Sequence, residues 1–408
     1  MSKSKIFKTL ITALLSSILV FSTGCFSAQV PNNNEEEHME NTFFSAVTIS
    51  QANGDFSYQP TINASPSDDV EIPLLSGDIY TVCKKYKKYI TDKYNAEGID
   101  VFAPTPLTIS WESEETPEYY ILNLSTNEDL SDAEMYVTFK NSVTLNYLFM
   151  GYSYYYQIEA KFEDRVVKSR IFEFKTAYLP RTVYVDDNVS NTRDWGGYLC
   201  EDGIHRVKQG IVYRGGKLED ITQSGKDVML INLGIKTDLD VRGDGTAGTA
   251  TSPLGASVNY IETTGPYYIG TTGIDFDGDL TAEKQAYKEA LITEIRAFAN
   301  PDNFPIYVHC SLGRDRTGTI CFLINALLGV GQNDLFRDYE ISMMSAAGHA
   351  DNQTAAHMVG NAFAGLYNYI YYRTGKTLAE KTEAYMLSIG ITAEEIAAIK
   401  ANMLEEVK

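Results

Sequence analysis

Hydrophobic and polar residues alternate in short runs between residues 101 and 177, with turn-forming residues between the runs. Such alternation is typical of strands that bury one face, and its spacing favours an antiparallel, all-β sandwich over residues 100–178. The predicted strands are Leu107–Trp111, Tyr119–Leu124, Ser142–Leu145, Tyr154–Ala160 and Ser169–Thr176.

Beyond residue 180 the pattern changes to buried strands that alternate with longer stretches of helical periodicity. This alternation predicts an α/β domain over residues 180–408, with a central, mostly parallel sheet flanked by helices. Val228–Leu233 and Ile306–Val308 are largely apolar runs and are predicted as buried strands. The predicted helices are Thr281–Ala299, Thr317–Leu328, Gln353–Arg373 and Thr392–Val407.

The first 24 residues have the pattern of an export signal. Three lysines and no acidic residue accompany the apolar stretch Leu10–Phe21, which is shorter than the roughly 20 residues that span a bilayer. Small residues then lead into Cys25, an arrangement that resembles the lipobox of bacterial lipoproteins, although Ser22 stands where leucine is usual. The resemblance implies removal of residues 1–24, lipidation of Cys25 and anchoring of the protein outside the cytoplasm of a bacterial cell; simple secretion is the alternative.

Residues 25–99 are expected to form a tether. Residues 26–70 are rich in Ser, Asn, Asp, Glu and Pro and contain few apolar clusters, so they cannot bury enough surface to fold. A short helix is predicted over Ile79–Tyr94.

Composition and charge narrow the function classes. At 408 residues with 44% hydrophobic and 22% charged residues, the chain matches a globular protein of two to three domains. Its 54 acidic and 34 basic residues give a net charge of −20, which becomes −23 once three lysines leave with residues 1–24. This charge disfavours nucleic-acid binding and docking on anionic lipid, so lipid on Cys25 would be the membrane contact.

The predicted sandwich resembles a fibronectin type III domain. Trp111 lies on an early strand, and Leu148, Gly151 and Tyr154 have the spacing of a tyrosine corner. A run of tyrosines there could form a ligand-binding face, but Tyr154 and Tyr156 alternate as inward residues of a strand do, which favours a place in the core.

Candidate chemistry lies between residues 306 and 318, where an apolar strand ends at Cys310 and a helix follows. A tight loop at such a junction directs backbone N–H groups inward and forms an anion-binding nest. Arg316, six positions after the cysteine, can grip two phosphate oxygens, and in this positive field Cys310 becomes a nucleophilic thiolate. The loop residues expected to bind phosphate are Ser311, Leu312, Gly313 and Arg314, with His309 orienting the loop and Thr317 contacting the sulfur.

The sequence His309–Gly318 resembles the signature loop of the cysteine-dependent protein tyrosine phosphatase superfamily, and its longer form resembles the bacterial tyrosine/serine phosphatases of the IphP type. Asn191–Gly197, Val212–Leu218 and Gly234–Arg242 resemble further segments of the same family, with Gly215 in place of the usual serine. The resemblance spans roughly residues 185–345.

This resemblance implies a two-step hydrolysis of a phosphorylated protein or a small phosphomonoester. Cys310 attacks phosphorus, Arg316 and the loop amides stabilise the equatorial oxygens, and water hydrolyses the phosphocysteine. The mechanism needs no metal or other cofactor. Arg214, from the segment Val212–Leu218, is expected among the substrate-binding residues.

The general acid has three candidates. Asp277 is the first choice, because it lies on the loop before the predicted helix that precedes the signature strand, as in many dual-specificity relatives. Asp315, beside the arginine of the loop, is the candidate from the IphP-type pattern. Asp240 is the third, although a buried carboxylate needs a partner and Arg242 or Arg214 would supply one.

Two other functions compete with a protein phosphatase. A phosphoinositide or inositol-polyphosphate phosphatase is favoured by Arg314, since a further basic residue suits additional phosphates. A surface binding or adhesion protein with an inactive phosphatase domain is the other alternative, against which the intact Cys310 and Arg316 argue.

Overall fold

A computed structural model describes residues 107–113, 115–146, 148–176, 178, 181–243, 251–275, 278–345 and 363–407. The predicted leader, Cys25, the tether and the helix over Ile79–Tyr94 lie outside the described residues, as do Asp277 and the first part of the predicted helix Gln353–Arg373. Within the described ranges, no helix is long and apolar enough to cross a bilayer.

Seven strands form the N-terminal part of the described chain, which we call the β region (residues 107–176). The five predicted strands are all present, with ends shifted by up to three residues, and two more were not predicted because most of their side chains are at least partly exposed. The strands are β1 Leu107–Ser110, β2 Tyr119–Ser125, β3 Glu134–Thr138, β4 Ser142–Leu145, β5 Ser153–Lys161, β6 Val166–Lys168 and β7 Phe172–Lys175.

The β region contains two antiparallel sheets with a common core. Strands β1 and β4 form one sheet; β3, β2, β5 and β6 form the other, with β7 also paired to β5. Ile109 of β1, Leu122 of β2 and Tyr156 of β5 lie in a single hydrophobic cluster. Tyr154 is also buried, as predicted, and its hydroxyl accepts a hydrogen bond from the backbone N–H of Phe149 at 2.8 Å.

The second part of the chain, which we call the α/β region (residues 181–407), has the predicted mostly parallel sheet. Its order is β12-β11-β13-β10-β8, with the first four strands parallel and β8 antiparallel at the edge. The strands of the region are β8 Arg193–Asp194, β9 His205–Val207, β10 Val212–Gly215, β11 Thr237–Asp240, β12 Asn259–Glu262, β13 Ile306–His309 and β14 Leu404–Glu406. The helices are α1 Gln223–Asp227, α2 Ala282–Ala297, α3 Asp315–Leu327, α4 Gln332–Glu340, α5 Phe363–Tyr371, α6 Leu378–Ile389 and α7 Ala393–Met403.

Two predictions in this region are wrong. Residues Val228–Asn232 form a turn of π-helix that continues from α1, whereas a strand was predicted over Val228–Leu233. A short apolar run fits either structure, and Ile231 within it is exposed. The last predicted helix ends at Met403, after which β14 pairs with β9.

Strand β13 lies in the middle of the sheet, between β11 and β10, and all four of its residues are buried. The carboxyl ends of parallel strands meet at one edge of a sheet, which is where α/β proteins place their binding sites. Residues that follow β10, β11 and β13 therefore come together at this edge, and helix α3 begins there.

Candidate active site

The loop from Cys310 to Arg314 joins β13 to helix α3. Gly313 in this loop has φ +64°, and a Cβ at that position would lie 2.2 Å from the backbone of Gly215 at the end of β10. Only glycine meets both the left-handed conformation and the close approach. The loop is thus packed directly against the neighbouring strand.

The carbonyl groups of this loop accept hydrogen bonds from the surrounding scaffold. Asn191 Nδ2 donates to the carbonyl oxygens of Leu312 and Gly313 at 2.9 and 3.2 Å, and Arg214 Nη2 donates to Gly313 at 2.8 Å. The next carbonyl accepts from the Tyr268 hydroxyl at 3.0 Å. Because a trans peptide is planar, each following N–H points the opposite way, into the concave side of the loop. These amides form an anion nest at the start of a helix.

Two buried arginines share one carboxylate behind the loop. Asp338 of α4 accepts from Arg193 Nε at 3.2 Å and forms an ion pair with Arg214. Arg193 also donates to Asn191 Oδ1 at 2.7 Å. Arg214, expected among the substrate-binding residues, therefore lies behind the loop with its guanidinium fully buried. Asp338 was missed because the sequence pattern did not predict helix α4.

Cys310 is buried at the base of the loop with a free thiol. Burial raises the pKa of this thiol, but hydrogen bonds from the Thr317 hydroxyl and backbone N–H lower it, and the net pKa is below the ordinary value. The Thr317 hydroxyl has no oxygen or nitrogen partner within the described residues, which leaves it available to the sulfur. The site therefore favours the thiolate, the nucleophilic form of cysteine.

His309, just before the cysteine, is fully buried, and its Nε2 lies 2.9 Å from Asp238 Oδ1 on β11. Burial lowers the pKa of His309, yet the charge of Asp238 outweighs burial and raises the pKa to about 9. The Ser252 hydroxyl donates to the other Asp238 oxygen at 2.6 Å. A charged, fixed imidazolium thus stands at the end of β13, held by an aspartate that was not predicted.

Asp240, a candidate acid, is buried and bound to Arg242, whose Nε donates to its Oδ1 at 2.9 Å. Tyr260 donates to the same carboxylate at 3.1 Å. Burial raises the pKa of Asp240, but the hydrogen bonds from Arg242 and the charge of His309 outweigh burial. The net pKa of Asp240 is therefore below its ordinary value. Of the two partners expected for this aspartate, the structure selects Arg242.

Arg314 and Asp315 form an ion pair across the start of α3. Arg314 Nε lies 3.1 Å from both carboxylate oxygens, and Tyr339 donates to Asp315 Oδ1 at 3.3 Å. Both residues are buried. The negative charge of Asp315 raises the pKa of Cys310, which places this carboxylate within electrostatic range of the sulfur.

Arg316 is partly exposed at the mouth of the loop. Its Nη1 donates to the carbonyl oxygen of Arg242 at 3.1 Å, and its Nη2 donates to the Tyr267 hydroxyl at 2.9 Å. The same guanidinium lies over the Tyr267 ring, 4.6 Å from its centre. The structure thus places Asp315 within electrostatic range of Cys310 and Arg316 two residues after the loop, while Asp277 lies outside the described residues.

Comparisons with known proteins find similar sequences. The sequence model of the tyrosine phosphatase family matches residues 186–405, more than half of the chain. A candidate tyrosine-protein phosphatase of Cupriavidus necator is 31% identical over 191 residues, which cover 43% of this chain and 67% of that protein. A tyrosine-protein phosphatase of Nostoc commune is 27% identical over 219 residues, which cover 47% of this chain and 73% of that protein.

Among solved structures, the core catalytic domain of the S. cerevisiae PP-IP phosphatase SIW14, in complex with citrate, is similar over 40% of this chain and 93% of its own, with 17% identity and a TM-score of 0.25.

The family match includes the Cys310 loop, the arginine and aspartate groups behind it and Arg316. The buried thiol, the inward amides and the helix that begins at the loop all lie within the matched residues. The chain therefore belongs to the tyrosine phosphatase family of enzymes.

Proposed function

We propose that the protein is an extracytoplasmic, cysteine-dependent phosphatase that hydrolyses phosphotyrosine, with phosphoserine as a secondary substrate. The observation that carries the proposal is the Cys310 loop, in which a thiol of lowered pKa lies below backbone amides that converge on one site. An anion held by these amides and Arg316 has its phosphorus in reach of the sulfur.

The proposed reaction has two steps. The Cys310 thiolate attacks phosphorus, the S–P bond forms, and the bond from phosphorus to the substrate oxygen breaks. The leaving oxygen takes a proton from an acid of the protein. Water then attacks phosphocysteine and gives one proton back to that acid, the S–P bond breaks, and inorganic phosphate leaves as the thiolate is restored. Arg316 and the loop amides stabilise the charge on the equatorial oxygens in both steps.

We propose Asp315 as the acid, because it is the first residue of α3, directly after the loop, and its carboxyl group lies within electrostatic range of the Cys310 sulfur. Asp315→Asn should lower kcat on a phosphotyrosine peptide by about 10²-fold or more and reduce it less on p-nitrophenyl phosphate, whose leaving group needs no proton. Asp277→Asn is the matched variant: if it produces this leaving-group dependence and Asp315→Asn does not, the acid is Asp277.

The placement of Arg314 supports a monophosphate substrate. Its guanidinium is buried and bound to Asp315, so a second phosphate would have to displace this carboxylate. The net charge of −23 of the exported chain also opposes a polyanion. Turnover of phosphotyrosine peptide, phosphoinositide and inositol hexakisphosphate should be compared, and a preference for either of the last two would overturn the proposed substrate.

The activity itself has a direct test. The full chain should hydrolyse phosphotyrosine peptide in a reaction that vanadate inhibits, and Cys310→Ser should lower kcat at least about 10³-fold. Cys200→Ser is a matched control, because Cys200 is equally buried but its pKa is raised to about 12, mainly by burial. Absence of turnover in the unsubstituted chain would favour the binding or adhesion protein instead.

We further propose that lipid on Cys25 anchors the protein outside the cytoplasm and that the β region is a fibronectin type III-like domain. The lipobox-like sequence supports the first, and the two-sheet core with the Tyr154 hydrogen bond supports the second. Cells expressing the chain should incorporate labelled palmitate into it, and Cys25→Ala should abolish the label. A soluble, unlabelled protein from the unsubstituted gene would exclude the anchor.

A further inference from the structure

The segment from Thr263 to Tyr267 follows β12 and ends beside the phosphate-binding arginine. The Thr263 hydroxyl donates to the buried Glu294 carboxyl group at 2.7 Å, and the backbone N–H of Gly265 donates to the carbonyl oxygen of Val241 at 3.1 Å. These bonds tie the segment to α2 and to the end of β11. The backbone that leads to Tyr267 is therefore held by the scaffold.

Tyr267 makes two contacts with Arg316 through one guanidinium. Its hydroxyl accepts at 2.9 Å, and its ring lies under the guanidinium carbon at 4.6 Å from the ring centre. Tyr267 is nevertheless 46% exposed. Arg316 covers one side of the ring, so the remaining ring surface is open to a ligand at the mouth of the loop.

The chemistry of an aryl phosphate places its ring at this surface. In phosphotyrosine the phenyl ring is joined to phosphorus through a single oxygen, so a phosphate held by Arg316 brings that ring beside the side chain that Arg316 contacts. Two aromatic rings in contact attract each other in edge-to-face or offset arrangements. A phosphoserine has an alkyl carbon at the same place and gains no such contact.

We propose that Tyr267 is a specificity-determining residue whose ring forms the wall of the phosphate site and stacks with the phenyl ring of phosphotyrosine, so that aryl phosphomonoesters are bound in preference to alkyl ones. The inference rests on the proposed function, because it assigns the substrate preference of that same site. It adds a residue that lies outside the signature loop and that the sequence motifs did not identify.

Binding to the full chain carrying Cys310→Ser tests the proposal without turnover. The dissociation constants of a phosphotyrosine peptide and of a phosphoserine peptide of the same sequence should be measured with and without Tyr267→Leu. We expect this change to weaken phosphotyrosine binding by about 2- to 12-fold and to leave phosphoserine binding within about 2-fold. Tyr267→Phe, which keeps the ring and removes the hydroxyl, should retain the preference for phosphotyrosine.

Phe139→Leu is the matched control, because this aromatic residue is 45% exposed and lies in the β region. It should change neither dissociation constant. Equal weakening of both peptides by Tyr267→Leu would show that Tyr267 only positions Arg316, and no change in either would show that the ring does not contact the substrate; both outcomes overturn the proposal. Turnover of the phosphotyrosine peptide by the unsubstituted chain tests the proposed function separately.

Discussion

The Tyr307 hydroxyl occupies the place where a side chain on Gly215 would begin. A Cβ at Gly215 would lie 2.2 Å from Tyr307 Oη, and this hydroxyl donates to the carbonyl oxygen of Gly216 at 2.8 Å. The two residues lie on neighbouring parallel strands: Gly215 ends β10, and Tyr307 lies in β13, three residues before Cys310. The absence of a side chain at Gly215 is thus matched by a tyrosine on the adjacent strand.

Gly215→Ser should therefore lower the free energy of unfolding by about 1–3 kcal/mol, because the added side chain forces Tyr307 to move. In a Tyr307→Phe background the cost should be smaller but not zero, since the hydroxyl is gone while Thr192 Oγ1 at 2.7 Å and the nearest ring carbon at 3.0 Å remain. Urea unfolding of the two single variants and the double variant gives the coupling energy. An equal loss of stability from Gly215→Ser in both backgrounds would show that the added side chain does not clash with the Tyr307 hydroxyl.

Asp338→Asn should be among the most destabilising single changes in the α/β region. It leaves the buried guanidinium groups of Arg193 and Arg214 without their shared carboxylate, a loss of about 3–5 kcal/mol. Asp334→Asn on the same helix is the control: its carboxylate is partly exposed beside Arg337, so the loss should be about 0–1 kcal/mol. The losses are measured by denaturant unfolding. Similar losses from the two variants would contradict the role of Asp338 as the shared partner of the two buried arginines.

The pair of His309 and Asp238 predicts a pH dependence of stability. The pKa of His309 is raised from 6.5 to about 9 in the folded protein. The charged imidazole therefore stabilises the fold fully below pH 6.5, and this stabilisation is lost as pH rises through 9. Asp238→Asn should lower the free energy of unfolding by about 3 kcal/mol at pH 6, and the two stability curves should converge above pH 9.

The control for this experiment is Asp202→Asn. Asp202 also pairs with a histidine, at 2.6 Å from His205 Nδ1, but both side chains are exposed. The stability curves of Asp202→Asn and the unsubstituted chain should therefore not show a difference that disappears near pH 9. A constant offset between the unsubstituted chain and Asp238→Asn from pH 6 to pH 10 would show that His309 does not titrate in this range.

The sequence was sufficient to predict those features whose pattern lies within one short segment. The positions of Cys310, Gly313 and Arg316 in a strand-loop-helix junction predicted the nest, because one short segment supplies its amides and side chains. The strands of the β region were predicted where alternate residues are buried. β3 and β6 were missed because most of their side chains are at least partly exposed, so no alternation marks them.

Asp338, Tyr267 and Asp238 were not predicted as site residues, since each lies outside the segment that supplies the loop. Asp338 lies on a helix without a motif, and Tyr267 is one of 28 tyrosines. Asp238 did have a signal: it stands two positions before Asp240 in a buried strand, so both carboxylates lie on one face and need a charged partner such as His309. Strands β11 and β13 are neighbours in the sheet, and their register places Asp240 opposite His309. This pairing depends on the tertiary structure, so the sequence pattern does not reveal it.

Gln209 joins the α/β region to the β region. Its Oε1 accepts from the backbone N–H of Met150 at 2.8 Å, and its Nε2 donates to the carbonyl oxygen of the same residue at 3.0 Å. Arg206 adds a bond to the carbonyl oxygen of Gly151 at 3.3 Å. Gln209→Ala leaves both backbone groups of Met150 buried without a partner, which costs about 1–3 kcal/mol for each group.

The two tryptophans of the chain report this coupling, because Trp111 is buried in the β region and Trp195 in the α/β region. Followed in Trp111→Phe and Trp195→Phe backgrounds, the two unfolding midpoints should coincide with Gln209 present and separate in Gln209→Ala, since a weakened interface lets each region unfold by itself. Gln157→Ala removes a glutamine bond at 2.8 Å to Ser169 inside the β region but keeps Gln209, so it should lower both midpoints together. Coincident midpoints in Gln209→Ala would mean that the remaining contacts between the two regions, such as that of Arg206, suffice to keep their unfolding cooperative.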